Sequence, residues 1–205
     1  MVTIAALATL ACAEPDMVFP GKDWHMATPE SQGIDATKLE QAMERLAEIC
    51  GKRGSERTVV VRNGHVVWAG DDIDTVQPIY SCTKSFASTC LGLLWDDGLV
   101  TPDTRAASID PALEEHYPEV TLGQLSGLTA GLQVRLKPDF VLGPPLHEPD
   151  KAFHYGPSPE ILTRLLTLAS GESMHSLFRR RVADPIGIAD TEMKWNDMGL
   201  WRGIP

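Results

Sequence analysis

Ser81 and Lys84 are the two residues whose types and spacing first suggest covalent chemistry. They lie three positions apart at the start of an apolar segment, so a helix there places both side chains on one face. A serine at this place meets the positive end of the helix dipole, and a desolvated lysine has a lowered pKa and takes up the serine proton. Ser-x-x-Lys occurs once in the chain and predicts an acyl-enzyme serine with its own base. The alternative is an ordinary helix-capping serine.

The element that carries this pair is predicted to be a central buried helix over 81–97, ended by Gly98. An earlier helix, capped by Asp35 or Thr37 and ended by Gly51, has apolar residues at helical spacing. A hairpin follows, because two β-branched runs, 57–62 and 65–70, are joined by Asn63-Gly64. We expect the earlier helix to cover one face of this hairpin.

The rest of the chain indicates further helices joined by turn-rich segments. We predict a short helix around 121–125, one capped by Ser158 and ended by Gly171, and one running from Ser173 to about 183. The fold class is therefore α+β, with an N-terminal helix and antiparallel hairpin and then a mostly helical lobe.

Composition and charge exclude several function classes. The 205 residues carry 18 Lys+Arg against 28 Asp+Glu, a net charge of −10, which argues against a nucleic-acid partner. Arg179-Arg180-Arg181 is interpreted as a solvated helix face. The six histidines and four cysteines show no metal-binding spacing, and the cysteines are expected to be buried free thiols. No apolar stretch approaches the roughly 20 residues of a membrane-spanning helix.

Residues 1–13 are uncharged and apolar, and they end in Ala11-Cys12-Ala13, which fits a signal-peptide cleavage site and predicts export to the periplasm or the medium. Cys12 as a lipid-acceptor cysteine and a frayed apolar terminus are the alternatives. Residues 14–29 are interpreted as a linker and 30–205 as a single domain.

Several segments, in order, resemble the β-lactamase-related serine hydrolases, the family of class C β-lactamases, D-alanyl-D-alanine carboxypeptidases and similar esterases. Ile79-Tyr80-Ser81-Cys82-Thr83-Lys84 is similar to its nucleophile segment, and Phe153-His154-Tyr155 to the approach to its Y-x-N motif. The resemblance covers about four fifths of the chain; the other matching segments are Thr28–Asp35, Asp97–Val100, Val120–Leu132, Asp184–Ile188 and Thr191.

The resemblance implies that Ser81 is the acylated nucleophile, Lys84 its general-base partner and Tyr155 a second proton carrier. A tyrosine held against a lysine ammonium has a lowered pKa and can carry a proton; the alternative for Tyr155 is a packed aromatic side chain. The implied reaction is hydrolysis of a small ester or amide, or a peptide-like substrate, without metal or organic cofactor. Pro157 stands at the asparagine position of Y-x-N, which weakens β-lactam hydrolysis, and Leu128 stands where relatives often have histidine.

The family's third motif, K-T-G or H-x-G, is not found after Tyr155. We therefore expect a C-terminally truncated domain that lacks the final sheet strands, with little activity of its own. A non-catalytic penicillin-sensing or ligand-binding domain and an inactive fragment are the alternative functions.

Overall fold

The computed structural model describes residues 17–135 and 141–188, and contacts divide the chain into two compact units, Met1–Gln77 and Pro78–Pro205. The apolar segment 1–13 with Cys12, and Thr191, lie outside the described residues. The single-domain boundary 30–205 stays a prediction. The segment expected to be a linker contains a short strand, β1 (His25–Met26).

The first unit contains a three-stranded sheet in the order β1-β3-β2. Strands β2 (Val59–Arg62) and β3 (His65–Ala69) form the expected antiparallel hairpin, with a bulge between Val60 and Val61, and β1 pairs with β3 in parallel. Asn63 and Gly64 both have positive φ, 51° and 78°, as a type I′ turn requires. Gly64 has a second reason to be glycine, because a Cβ there would lie 1.5 Å from the Val18 carbonyl oxygen.

Helix α1 (Ala36–Cys50) begins and ends where the sequence predicts. Asp35 is its N-cap and accepts a hydrogen bond from the Lys38 backbone N–H at 3.0 Å, and Gly51 follows its last turn. A second helix, α2 (Lys52–Glu56), continues directly from Gly51. None of the residues of α1 is fully buried, but Leu39, Met43 and Leu46 are half-buried along one helical face, and the expectation that this helix covers a face of the hairpin stays a prediction.

The second unit is mostly helical. A 3-10 turn, Tyr80–Cys82, leads into α3 (Thr83–Asp96), so the predicted helix is present but begins two residues after Ser81. The following elements are α4 (Ala106–Ile109), a 3-10 turn (Pro111–Leu113), α5 (Leu122–Ser126), the short antiparallel ribbon β4 (Val134–Arg135) and β5 (Val141–Leu142), α6 (Ser158–Ser170), α7 (Met174–Phe178) and a π-helical turn (Arg179–Ala183). The α+β class is confirmed.

Leucine side chains from α3, α5, α6 and α7 form the core of this unit. The fully buried leucines of these four helices are Leu94, Leu122, Leu125, Leu162, Leu165, Leu166 and Leu177. Burying each such side chain contributes about 1.5–3 kcal/mol. At the edge of this core, the rings of Phe86 and Phe178 lie 4.7 Å apart, which brings α3 and α7 together. The core therefore fixes α3 and α6, the two helices that flank the candidate site.

Several local expectations need correction. Ser158 is the first residue of α6 and does not cap it through its side chain; Pro157 precedes the helix instead. The three consecutive arginines are not simply a solvated face, because each pairs with a carboxylate: Arg179 with Asp184, Arg180 with Glu172 and Arg181 with Asp97. Of the cysteines that the structure describes, only Cys90 is buried, while Cys50 and Cys82 are exposed. Among the described residues, no helix is both long enough and apolar enough to span a membrane.

Tyr117 ties the β4–β5 ribbon to the core. Its side chain is almost completely buried; its hydroxyl donates to the Gly143 carbonyl at 2.7 Å and accepts from the Gln133 backbone N–H at 2.8 Å. Desolvation by burial raises the pKa of Tyr117 above its usual range. The neutral hydroxyl therefore acts as both donor and acceptor for two backbone groups.

We predict that Tyr117→Phe lowers the free energy of unfolding by about 1–3 kcal/mol, because two backbone groups lose their partner. Urea unfolding followed by circular dichroism measures this change. Tyr80→Phe is the matched control, since Tyr80 is 80% exposed, and it should change the free energy by less than about 0.5 kcal/mol. Equal effects of the two substitutions would contradict the prediction.

Candidate active site

The backbone turns sharply just before Ser81. Tyr80 has a φ of 44°, which a non-glycine residue adopts at a cost of about 1–3 kcal/mol. Two bonds hold this turn: the Cys82 N–H donates to the Ile79 carbonyl at 3.0 Å, and the Thr83 hydroxyl donates to the Tyr80 carbonyl at 2.7 Å. Ser81 is consequently exposed at the start of α3.

Ser81 and Lys84 meet as their spacing predicts. The Lys84 Nζ donates a hydrogen bond to Ser81 Oγ at 3.1 Å. Lys84 is only half-buried, so the full desolvation expected for it from the sequence is not present. The serine oxygen is therefore held next to a lysine nitrogen, one turn further along the helix.

Tyr155 approaches the same oxygen from a distant part of the sequence. Its hydroxyl donates to Ser81 Oγ at 2.6 Å, and the Lys84 Nζ lies 4.9 Å from the centre of its ring. That second distance is within the range of a cation–π interaction. The structure thus brings together all three residues singled out from the sequence, while their catalytic roles stay predictions.

A series of backbone hydrogen bonds brings Tyr155 to this place. The segment after α5, residues 128–133, runs beside the segment that leads to Tyr155, residues 143–154. Backbone N–H groups of 143–154 donate to carbonyls of 128–133. The four bonds are Gly143 to Gln133 at 2.8 Å, and Leu146 to Gly131, Asp150 to Thr129 and His154 to Leu128, each at 2.9 Å. These two segments approach each other closely. A Cβ at Gly131, whose φ is 66°, would lie 2.2 Å from the His147 carbonyl oxygen. Tyr155 follows the last of these bonds directly.

The environment of Tyr155 lowers its pKa below the usual value. The largest cause is the hydrogen bond with Ser81, followed by the hydrogen bond and the charge of Lys84, while slight desolvation and the carboxylate of Glu160 act in the opposite direction. A lowered pKa means that Tyr155 ionises more readily than an ordinary tyrosine. Once ionised, the Tyr155 oxygen becomes an acceptor, and the Ser81 hydroxyl then donates to it.

The sequence profile described as Beta-lactamase matches residues 39–199, which is most of the chain. This chain belongs to the beta-lactamase family. Members of the family are serine hydrolases and acyltransferases that act on small ester, amide or peptide substrates. The resemblance stated from the sequence motifs is therefore confirmed.

Solved structures of the same fold include the D-alanine carboxypeptidase AmpC from Burkholderia cenocepacia, at 19% identity and a TM-score of 0.54, covering 75% of this chain and 49% of that one. A penicillin-binding protein homolog from Caulobacter crescentus has 20% identity and a TM-score of 0.54, covering 74% and 51%. EstCE1, a hydrolase with promiscuous acyltransferase activity, has 18% identity and a TM-score of 0.51, covering 73% and 53%.

These identities show the fold alone, and the expected β-lactamase/transpeptidase-like fold is confirmed. The chain spans about half the length of these three structures. No curated protein matches the sequence.

A groove of about 460 Å³ opens beside Lys84 in this beta-lactamase-family chain. Its walls combine hydroxyl and apolar side chains from α3, the end of α5 and the start of α6: Lys84, Ser85, Ala87, Ser88, Thr89, Ser126, Leu128, Pro159 and Leu162. Pro157, at the asparagine position of Y-x-N, has no side-chain amide to orient a substrate carbonyl. No cluster of three or more metal-ligating side chains occurs among residues 17–135 and 141–188.

No sequence motif marks Asp150, Gln124 and Thr129, the residues whose side chains hold the Tyr155 segment in place. Asp150 adopts a φ of 63° and accepts side-chain hydrogen bonds from Gln124 and Thr129. The available signal was weak: an aspartate directly after Pro149, in a loop, is a residue type that tolerates left-handed backbone. Cys82, next to Ser81, is exposed, whereas burial raises the pKa of the Cys90 thiol to about 11 and makes it unreactive.

We predict that Tyr155 ionises at a lower pH than an ordinary tyrosine and that Ser81→Ala raises its pKa, because the largest lowering interaction is lost. Lys84→Met should also raise it. The chain has three tyrosines, so the difference in tyrosinate absorbance between each protein and its Tyr155→Phe derivative isolates this ionisation during a pH titration. An unchanged Tyr155 pKa in both variants would contradict the assignment of these interactions.

Proposed function

We propose that this chain carries a serine acyl-transfer site for small esters or amides, with Ser81 as nucleophile and Lys84 and Tyr155 as one proton-accepting pair. The observation that carries the proposal is that both side chains hydrogen-bond to the same atom, Ser81 Oγ, at 3.1 and 2.6 Å. A phenol of lowered pKa beside the Ser81 hydroxyl becomes, once ionised, a proton acceptor that is already in place.

The reaction balances without a cofactor. Ser81 Oγ forms a bond to the substrate carbonyl carbon, and its proton passes to the Lys84–Tyr155 pair. The pair returns the proton to the leaving alcohol or amine as the ester or amide bond breaks, which leaves an acyl group on Ser81. Water, or another alcohol, then attacks the acyl carbon by the reverse sequence and releases an acid or a new ester.

Two features of the turn before α3 support the role of Ser81. Among the described residues, no acceptor pairs with the Ser81 backbone N–H, so that group is available to a developing oxyanion. It also lies at the start of the 14-residue helix α3, where the helix dipole favours negative charge. The groove beside Lys84 has the volume of a small-molecule site, although Lys84 is the one member of the Ser81–Lys84–Tyr155 group that lines it.

The relatives support the reaction class. The similar structures are a D-alanine carboxypeptidase, a penicillin-binding protein homolog and a hydrolase with acyltransferase activity, all of which fit acyl transfer. Pro157 favours ester or simple amide substrates over β-lactams, because it offers no amide donor beside Tyr155.

We expect an alkyl fluorophosphonate to label the 205-residue chain once, at Ser81. Ser81 Oγ displaces fluoride from phosphorus, and the serine proton passes to the Lys84–Tyr155 pair. Intact mass and peptide mapping identify the site, and Ser81→Ala should lose the label completely while Ser108→Ala, at an exposed serine of α4, keeps it. Labelling that survives Ser81→Ala would sink the nucleophile assignment; labelling by a penicillin without release of the acyl group would favour a sensor over an enzyme.

A second prediction separates the charge of Lys84 from its proton-accepting ability. Arginine keeps the positive charge but is always protonated, so it cannot accept the serine proton. We therefore expect Lys84→Arg and Lys84→Met each to slow labelling at Ser81 by about 10²-fold or more. The rate of mass increase with time measures both variants. A Lys84→Arg protein that reacts as fast as the unmodified chain would restrict Lys84 to an electrostatic role.

A further inference from the structure

Asp150 lies five positions before Tyr155 and contacts the core helix α5 through its carboxylate. Its Oδ2 accepts from the Gln124 Nε2 at 2.7 Å, and its Oδ1 accepts from the Thr129 hydroxyl at 2.8 Å. Its own backbone N–H donates to the Thr129 carbonyl at 2.9 Å. Asp150 therefore makes three hydrogen bonds to Gln124 and Thr129, although its side chain is exposed and its backbone is in the left-handed conformation.

The partner on α5 is itself fixed in orientation. The Gln124 Oε1 accepts from the Thr121 backbone N–H at 3.0 Å, and the Thr121 hydroxyl accepts from the Gln124 backbone N–H at 3.3 Å, which is a capping box. Because the amide oxygen is already used, the Gln124 Nε2 is the group that faces Asp150, and it needs an acceptor. Leu122 and Leu125, both fully buried, anchor this helix in the core.

The backbone between Asp150 and Tyr155 is held by hydrogen bonds near both of its ends. After the Asp150–Thr129 contact, the next fixed point is the bond from the His154 N–H to the Leu128 carbonyl at 2.9 Å, and Tyr155 follows at once. Asp150 thus fixes the beginning of the segment 150–155. At the end of this segment, the Tyr155 hydroxyl lies 2.6 Å from Ser81 Oγ. A displacement of about 1 Å at such a distance removes a hydrogen bond and can cost about 10²-fold in rate.

We propose that Asp150 is a positioning residue that holds the Tyr155 hydroxyl on Ser81 by anchoring the Tyr155 segment to α5 through Gln124 and Thr129. This inference rests on the proposed function for its effect on acyl transfer, but its effect on the position of Tyr155 is independent of that function. Hydrogen bonds from Thr129 and Gln124 also lower the pKa of Asp150, in agreement with a carboxylate that is ionised in the anchored state.

Two substitutions at this position separate the carboxylate contacts from the backbone conformation. Glycine and asparagine both tolerate a φ of 63°, so neither adds backbone strain. Asp150→Asn keeps an oxygen for the Gln124 Nε2, and its amide NH₂ can donate to the Thr129 hydroxyl, which then acts as acceptor. Asp150→Gly loses both side-chain contacts. Asp97→Gly is the matched control, because it removes a carboxylate that pairs with Arg181 at the opposite end of α3 from Ser81.

The first measurement follows the ionisation of Tyr155 in the 205-residue chain, again by difference from the Tyr155→Phe derivative of each variant. In Asp150→Gly we expect the Tyr155 pKa to rise toward its ordinary value, because the bond with Ser81 is weakened. Asp150→Asn and Asp97→Gly should leave the Tyr155 pKa unchanged. A Tyr155 pKa that does not move in Asp150→Gly overturns the proposal, whether or not the chain reacts with any substrate.

The second measurement is the rate of fluorophosphonate labelling at Ser81. We expect Asp150→Gly to slow it by about tenfold or more, and Asp150→Asn to remain within about threefold of the unmodified chain. In a Tyr155→Phe background, Asp150→Gly should cause no further loss, since its effect passes through the tyrosine hydroxyl. The same loss in both backgrounds would mean a general structural role and overturn the proposal.

Failure of the proposed function is distinguishable from failure of this inference. An unmodified chain that is not labelled at Ser81 rejects the acyl-transfer site, while the Tyr155 titration still decides whether Asp150 positions Tyr155. Thermal melting of each variant shows that the compared proteins are folded.

Discussion

A single oxygen, Ser81 Oγ, accepts hydrogen bonds from two side chains that reach it by different routes. Lys84 needs only one turn of helix, so its contact follows from local geometry. Tyr155 is 74 positions away in sequence, and its contact depends on how the loop before α6 lies against α5 and α3. The lowered pKa of Tyr155 depends first on this second contact, because its hydrogen bond with Ser81 is the largest cause of the shift.

Backbone strain in the second unit is concentrated around the same contact. Among the described residues four non-glycine positions have positive φ, and three of them, Tyr80, Leu128 and Asp150, flank the site. Each costs on the order of 1–3 kcal/mol, so the surrounding structure must hold it in place. The buried leucines of α5 and α6 provide that stability, since they fix the two helices between which the Tyr155 segment runs. The core therefore determines the geometry of the site as well as the stability of the unit.

The features that the sequence predicted correctly are those that depend on interactions between residues close together in the chain. Asn63-Gly64 determined the hairpin turn, Asp35 the start of α1, and the Ser-x-x-Lys spacing the contact between Ser81 and Lys84, because each depends on residues within one turn. The pairing of Asp150 with Gln124 and Thr129 spans more than 20 positions, and no periodicity marks it. Tyr155 itself was found through a family resemblance, since neither its spacing nor its neighbours indicate that it meets Ser81.

The contacts of Tyr155 also constrain how proton transfer depends on pH. The hydrogen bond with Ser81, and after it the hydrogen bond and the charge of Lys84, lower the pKa of Tyr155, so this phenol loses its proton at a lower pH than an ordinary tyrosine. Glu160, which raises the pKa of Tyr155, opposes Lys84 from the first turn of α6. The proton affinity of Tyr155 is thus set by one hydroxyl in the turn before α3, one cation on α3 and one carboxylate on α6.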